Sequence, residues 1–206
     1  HPGTFVAVSE LTLPGGEDGQ PFSNEGFASS MATLGDLDGD GTLEVAVGAP
    51  GDDELGPDSG AVWILSFAEP GIIVSQRKIS AQRSGFDGFL NVGARFGHSV
   101  GSLGDLDDDG VCDLVVGAPG DGLTDESGDA QRGSVWLLFL EPDGSVREHK
   151  KIAPGENGFD SGIDRGEGFG SAVCSPGDID GDGVEDLAAG TPGTGHSNEG
   201  GLWLLF

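Results

Sequence analysis

Basic residues and cysteine are scarce in this 206-residue chain, and tyrosine and long apolar runs are missing. Lys and Arg number 9 against 36 Asp and Glu, which gives a formal charge of −27 at pH 7. A surface this acidic is repelled by nucleic acids and by anionic membrane surfaces, so neither is expected as a partner. No apolar run approaches the roughly 20 residues that span a bilayer, so we expect no membrane insertion.

The few cysteines and histidines argue against a disulfide framework and against catalysis. Cys112 and Cys174 occupy non-equivalent places, and a single bridge between them stays open. The histidines, at positions 1, 98, 149 and 196, form no Ser-His-Asp or Cys-His arrangement, so we expect no catalytic residues and no enzyme. The chain begins at His1 rather than Met, which we interpret as a mature or trimmed chain without its targeting sequence.

Acidic residues are concentrated in three nine-residue loops, at residues 36–44, 105–113 and 178–186. Each loop has acids at its positions 1, 3, 5 and 9 and a glycine at position 6. The loops hold 14 of the 36 acidic residues, and like charges this close repel one another strongly. The pattern therefore predicts three sites for a cation.

The acidic loops belong to a longer internal repeat. A Phe stands nine residues before each loop, and a Gly-Ala-Pro or Gly-Thr-Pro triplet begins twelve residues after the loop's first Asp. Short apolar segments follow the loop, a Trp-bearing segment follows the triplet, and a polar turn leads to a fourth strand that ends in Arg-Lys-Ile or Lys-Lys-Ile. Four short strands per repeat and no convincing helix predict an all-β fold, with each repeat forming a β-propeller blade of four antiparallel strands.

The spacing Phe-Gly, Asp-x-Asp-x-Asp-Gly-x-x-Asp and Gly-Ala-Pro resembles the FG-GAP repeat of integrin α-subunit β-propellers and their bacterial relatives. Three copies in register cover essentially the whole chain. The departures are Ala28 in place of Gly, Glu44 in place of Asp and Thr191 in place of Ala. None removes the metal-binding pattern, although the longer Glu44 side chain should reshape the first site.

Calcium is the cation that this loop chemistry favours. It takes about six to eight oxygen ligands, whereas Zn and Cu prefer His or Cys, and Mg prefers stricter octahedral geometry. An EF-hand would need Glu at position 12, which is Val47, Val116 and Ala189 in the three loops. A solvated acidic turn is the other alternative. We expect three structural sites, with these ligands: Asp36, Asp38, Asp40, the Thr42 carbonyl and Glu44; Asp105, Asp107, Asp109, the Val111 carbonyl and Asp113; Asp178, Asp180, Asp182, the Val184 carbonyl and Asp186.

The remaining conspicuous residues divide between core and surface. We expect Trp63, Trp136 and Trp203 to pack in the core, as we do Phe27, Phe96 and Phe169; stacking on carbohydrate is the alternative for the tryptophans. The loop 51–54, together with Asp58, is expected to be solvated. Arg83, Arg95, Arg132 and Arg165 lie in or near variable connections. The family resemblance implies a binding face opposite the metal loops, formed by residues 51–59, 81–95, 120–132, 154–168 and 193–199.

One propeller-type module is expected over residues 1–206. We place an N-terminal strand within residues 1–20, where it would complete a blade, and repeats at 21–89, 90–162 and 163–206, the last without its fourth strand. Since a propeller typically needs at least four blades, three must be closed by oligomerisation or belong to a longer array. The first alternative is a homodimer in which two chains form six blades.

The resemblance implies an extracellular or cell-surface protein. We expect a calcium-binding, integrin-like module for cell adhesion or protein–protein recognition, with a protein or glycan ligand on the face opposite the metal loops. The alternatives are a carbohydrate-binding propeller and a non-catalytic domain of a secreted hydrolase or lyase.

Overall fold

The computed structural model describes residues 26–69, 71–122, 132–156, 159, 162–163, 166–193 and 200–206. These residues form eleven β-strands and no helix, so the all-β prediction is confirmed for them. No helix among them is long and apolar enough to cross a membrane. The N-terminal strand expected within residues 1–20 lies outside the described residues.

The strands form three antiparallel sheets, one from each repeat. In all three sheets the strands lie side by side in chain order, as the sequence predicts, with four strands in the first two sheets and three in the third. Sheet 1 contains β1 (Met31–Gly35), β2 (Leu43–Ala49), β3 (Ala61–Glu69) and β4 (Ile72–Ile79). Sheet 2 contains β5 (Ser99–Ser102), β6 (Leu114–Ala118), β7 (Ser134–Leu140) and β8 (Val146–Ile152). Sheet 3 contains β9 (Ala172–Gly177), β10 (Asp186–Thr191) and β11 (Gly201–Leu205), in the order β11-β10-β9.

The three repeats pair their strands in the same register. The residue opposite the tryptophan is Val47 for Trp63, Val116 for Trp136 and Ala189 for Trp203. Because side chains alternate between the two faces of a strand, equal register places equivalent residues on the same face of each sheet. The strands of the three sheets can therefore be compared position by position.

The hydrophobic core lies between the sheets. One cluster joins sheet 1 to sheet 2 through residues such as Val62, Ile64 and Leu138, and a second joins sheet 2 to sheet 3. Trp63 and Trp136 are 1% and 3% exposed, so the core prediction is confirmed for both.

The phenylalanines that open the repeats differ in burial. Phe96 and Phe169 are fully buried, and Phe96 stacks on Phe86 with ring centroids 5.0 Å apart. Phe27, at the equivalent place in the first repeat, is only partly buried and packs at the edge of a third cluster within sheet 1.

Glycine allows neighbouring sheets to approach closely. A Cβ on Gly48 would lie 1.9 Å from the carbonyl oxygen of Gly97, and one on Gly117 would lie 1.9 Å from that of Gly170. The first Gly of Gly-Ala-Pro in one repeat therefore meets the Gly of Phe-Gly in the next repeat, backbone against backbone. Gly190 differs, since a Cβ there would meet nothing closer than 3.4 Å.

We predict that Gly117→Ala destabilises the protein by about 2 kcal/mol or more, because the added methyl group forces the second and third sheets apart. Gly190→Ala makes the same change in β10, where there is room, and should stay within about 0.5 kcal/mol of the parent protein. Urea unfolding measures both variants. Equal effects from the two substitutions would contradict a role for Gly117 in sheet packing.

Candidate metal centres and the opposite face

Each acidic loop connects the first and second strands of its sheet. The loops precede β2, β6 and β10, whereas the Gly-Ala-Pro or Gly-Thr-Pro triplets and their following loops come after these strands. The acidic loops and the variable connections therefore lie at opposite ends of the second strands.

Two backbone hydrogen bonds shape all three loops in the same way. The Asp at position 1 accepts a bond from the N–H of the glycine at position 6, at 3.0, 2.7 and 2.9 Å in the three loops. The acid at position 9 accepts a bond from the N–H at position 2, at 2.8, 2.9 and 2.6 Å. These contacts hold the first and last acids of each loop together across its turn.

The turn at position 6 requires a left-handed backbone. Gly41, Gly110 and Gly183 have φ values of +90°, +90° and +97°, which glycine adopts without steric cost. Position 4 is also left-handed, and here the second loop carries Asp108, at φ +60°. Asp is one of the few residues that tolerate this region.

The folded loops gather carboxylate oxygens within 4.8 Å of one another. In the second and third loops the gathered acids stand at positions 1, 3 and 9, but in the first they stand at positions 1, 3 and 5. The three groups are Asp36, Asp38 and Asp40; Asp105, Asp107 and Asp113; and Asp178, Asp180 and Asp186.

Glu44 is the residue that makes the first loop different. Its two carboxylate oxygens accept hydrogen bonds from the Leu37 N–H at 2.8 Å and from the Thr42 hydroxyl at 3.0 Å. Three other ligand roles stay predictions. They are the acids at position 5 of the second and third loops, the carbonyls at position 7 of all three loops, and Glu44.

The second loop shows the electrostatic cost of crowding acids. Asp113 is 1% exposed, and burial raises its pKa to about 6. Hydrogen bonds from the Leu106 and Leu140 N–H groups oppose this rise, while the charges of Asp107 and Asp109 add to it. A divalent cation would favour the ionised form, and clustered carboxylate oxygens are the ligands that a hard cation prefers. The residues present therefore fit calcium.

Within the described part of the chain, one basic residue reaches an acidic loop. Arg147, on β8, forms ion pairs with Asp107 and with Asp109, the latter at 2.8 Å. Nothing in the sequence pattern of the loop indicates this contact, because Arg147 lies 34 residues beyond the loop's last residue.

The opposite end contains buried acids, and Asp52 corrects a prediction. The loop 51–54 was expected to be solvated, but Asp52 is 2% exposed and forms an ion pair of 2.6 Å with Lys78. Asp121 is fully buried in the second repeat, 3.1 Å from Lys151. The signal that was missed is a Gly-Asp pair directly after Gly-Ala-Pro in both repeats, with a lysine in both fourth strands.

Each of these lysines also lies over a tryptophan ring. The Lys78 ammonium is 5.7 Å from the Trp63 ring centroid, and that of Lys151 is 5.4 Å from Trp136. Burial alone would lower the pKa of Lys78, but hydrogen bonds to the Asp52 and Glu54 carboxylates outweigh burial and raise it. The lysine thus neutralises the buried aspartate and packs over the tryptophan ring.

A cleft at this end is lined by residues from all three repeats. Asp58, Arg95, His98, Glu167 and Ser171 are among the residues that line it. Arg95 is exposed and has a left-handed backbone at φ +56°. Burial and the neighbouring Arg95 charge lower the pKa of His98, which favours a neutral imidazole.

Parts of the expected binding face, including Arg165, lie outside the described residues. Both cysteines are described, and both are free thiols, so they form no bridge.

Comparison with known proteins identifies the repeats. The family model described as "FG-GAP repeat" matches residues 27–65, 96–138 and 169–205, which together make up more than half of the chain. The chain belongs to the FG-GAP repeat family. The three matched segments begin at Phe27, Phe96 and Phe169, the residues that open the repeats.

Integrin α-subunits are among its relatives. The chain is 34% identical over 162 residues to integrin alpha-PS5 of Drosophila melanogaster, which covers 77% of this chain and 14% of that protein. It is 32% identical over 174 residues to human integrin alpha-E, which covers 81% of this chain and 13% of that protein. It is 36% identical over 99 residues to integrin alpha-5 of Xenopus laevis, which covers 48% of this chain and 9% of that protein. The chain therefore spans about a seventh or less of the length of these relatives.

One departure from the FG-GAP pattern has a structural explanation. Thr191, which replaces Ala in the third repeat, accepts a hydrogen bond of 3.3 Å from the Trp203 indole N–H. Its hydroxyl also lies 3.2 Å from the Gly201 carbonyl oxygen, to which it donates. The equivalent Trp136 indole N–H is buried without a hydrogen-bond partner in the described part of the chain. Thr191 thus supplies a polar contact that alanine cannot.

Proposed function

We propose that this chain is an extracellular, calcium-stabilised, integrin-like module that acts in cell adhesion or protein–protein recognition without catalysing a reaction. The observation that carries the proposal is the acidic loop, built three times with the same internal hydrogen bonds, within repeats related to integrin α-subunits. Calcium is millimolar outside cells, which is the range in which extracellular calcium modules bind, at roughly 10⁻⁴–10⁻³ M.

Calcium has a structural role in this proposal. In each repeat the candidate ligands come from one short connection between two paired strands, so an ion there would hold the ends of the first and second strands together. It would also neutralise carboxylates that otherwise repel one another within 4.8 Å. The proposed ligand sets are those expected from the sequence. The loops differ in which acid joins positions 1 and 3, since this is the position-5 acid in the first loop and the position-9 acid in the other two.

We predict that calcium raises the melting temperature of the protein. At 10 mM calcium and a dissociation constant of about 1 mM, each site contributes about 1.4 kcal/mol, because the ion binds the folded state. Asp38→Asn should lose one site's share of this effect, whereas Asp58→Asn, an exposed acid outside the loops, should keep all of it. Calorimetry in calcium and in chelator makes the comparison, and an unchanged melting curve for the parent protein would refute the calcium proposal.

Recognition is proposed for the end opposite the acidic loops. The variable connections lie there, and the cleft brings residues of three repeats together around Arg95. Arg95 forms no ion pair with a described residue, so on a protein of charge −27 it offers a rare cation to an acidic group of a protein ligand.

We predict that Arg95→Glu reduces attachment of cells to surfaces coated with this protein in calcium, because the substitution reverses the charge in the cleft. Arg77→Glu is the matched control, since Arg77, on β4, pairs with Asp143 in the turn between β7 and β8 and does not line the cleft. Attachment that survives glycan removal and is lost on protease treatment of the cells would support a protein ligand. Equal loss in both variants would contradict a binding role for the cleft.

The homodimer is supported by the outer faces of the first and third sheets. Ile179, Leu202 and Leu204 are 52%, 71% and 44% exposed on sheet 3. Their counterparts on sheet 1 are Leu37, Val62 and Ile64, which are at most 6% exposed and belong to the cluster that joins sheet 1 to sheet 2. Within the chain, sheet 1 packs on sheet 2 and sheet 2 packs on sheet 3. The outer face of sheet 3 has the residues for a third such contact.

Sheet 1 supplies the other half. Met31 is 64% exposed on its outer face, whereas Val100, its counterpart on sheet 2, is 6% exposed. Three blades are too few to close a propeller, so these two faces cannot meet within one chain. Two chains arranged head to tail would make six blades and bring the faces together. In the proposed arrangement, residues 4–11 of one chain would pair with β11, the edge strand of the described sheet 3, in the other. The proposed repeat boundaries, 21–89, 90–162 and 163–206, follow the same division.

Ala28 makes the closing junction different from the internal ones. At the equivalent Gly97 and Gly170, a Cβ would lie 2.3 and 2.4 Å from a carbonyl oxygen of the preceding sheet. Ala28 has that Cβ, so sheets 3 and 1 of two chains must sit farther apart there than the internal sheets do. The dimer junction is therefore weaker than the internal junctions.

We predict that Leu202→Glu and Met31→Glu each prevent dimer formation, because each places a charge on one of the two matching faces. An equimolar mixture should recover a 1:1 complex, since each variant keeps the face that the other has lost. Phe89→Glu, at a side chain that is 76% exposed away from both faces, should leave the dimer intact. Sedimentation velocity in calcium measures the three variants, the mixture and the parent protein, and a monomeric parent protein at every concentration would refute the homodimer.

A further inference from the structure

Among the described residues, only the second acidic loop is paired with a basic side chain. The Arg147 guanidinium pairs with Asp107 and Asp109 at positions 3 and 5 of that loop. In the part of the chain that the structure describes, no Lys, Arg or His forms an ion pair with an acid of the first or third loop.

Strand register explains why the first loop differs. Val146 lies opposite Leu140 in sheet 2, and Ile73 lies opposite Phe67 in sheet 1. The next residue along the fourth strand is therefore Arg147 in sheet 2 and Val74 in sheet 1. Val74 is 55% exposed and carries no charge that could reach the first loop.

The position of Arg147 is fixed by its strand rather than by the loop. The neighbouring strand β7 is tied to the same loop, because the Leu140 N–H donates to the Asp113 carboxylate at 3.2 Å. The Arg147 side chain is 38% exposed and Asp109 is 24% exposed, so solvent lies beside the pair and the guanidinium has room to leave.

We propose that Arg147 is an internal counter-ion of the second loop, which calcium must displace in order to bind there. This inference rests on the proposed calcium function. A guanidinium and a calcium ion compete for the same carboxylate groups, since Asp107 and Asp109 pair with Arg147 and are expected calcium ligands. The second site therefore binds calcium more weakly than the other two, and its loop keeps its shape in the absence of the ion.

Calcium titration by calorimetry tests the competition. The parent protein should show two tighter sites and one weaker site. Arg147→Gln should raise the affinity of the weaker site by about fivefold, the scale of an exposed ion pair, and leave the other two unchanged. Arg147→Val, which copies Val74, should do the same. Lys150→Gln removes a positive charge from the same strand, with no contact to the loop, and should change no site.

Thermal unfolding separates this role from simple anchoring of the strand. In chelator, Arg147→Gln should lower the melting temperature, because the loop acids lose their only described cation. In saturating calcium the variant should equal or exceed the parent protein. Equal destabilisation in both conditions, or an unchanged weaker site, would overturn the inference. Absence of calcium binding by the parent protein would instead refute the calcium function itself.

Discussion

The close contact between backbones of neighbouring sheets is the constraint on which the rest of this structure depends. Gly48 meets the Gly97 carbonyl and Gly117 meets that of Gly170 at distances that exclude a side chain. Such contacts set how near each sheet lies to the next, and thereby which apolar side chains are buried between them. The constant spacing from Phe to Gly-Ala-Pro in each repeat follows from this requirement, since the contact needs both glycines at the same height in adjacent sheets.

Charge is distributed over the two ends of the sheets in different ways. At one end, acids are gathered into loops with little compensation, and only the second loop has a described counter-ion, Arg147. At the other end, Asp52 and Asp121 are buried but paired with lysines from the fourth strands. A buried paired acid supports the sheet as it stands, whereas a cluster of uncompensated acids favours a bound cation. This contrast underlies the assignment of metal to one end and recognition to the other.

The ends of the array differ from its middle in a consistent manner. Phe27 is less buried than Phe96 or Phe169, and Gly190 has free space where Gly48 and Gly117 have none. Ala28 replaces glycine at a place where the internal repeats cannot accept a Cβ. The differences share one feature, which is that none of the described sheets covers these outer surfaces.

The sequence by itself determined the repeat, the all-β fold and the acidic loops, because these follow from local spacing and side-chain chemistry. It predicted the strands around Trp63 and Trp136 and the distinct first loop at Glu44. Only the tertiary structure decided which acids are compensated. Asp52 resembles any surface acid until Lys78 is folded over it, and Asp107 resembles Asp38 until β8 brings Arg147 against it. Both partners come from a fourth strand far along the chain, and strand pairing alone fixes which side chains meet there.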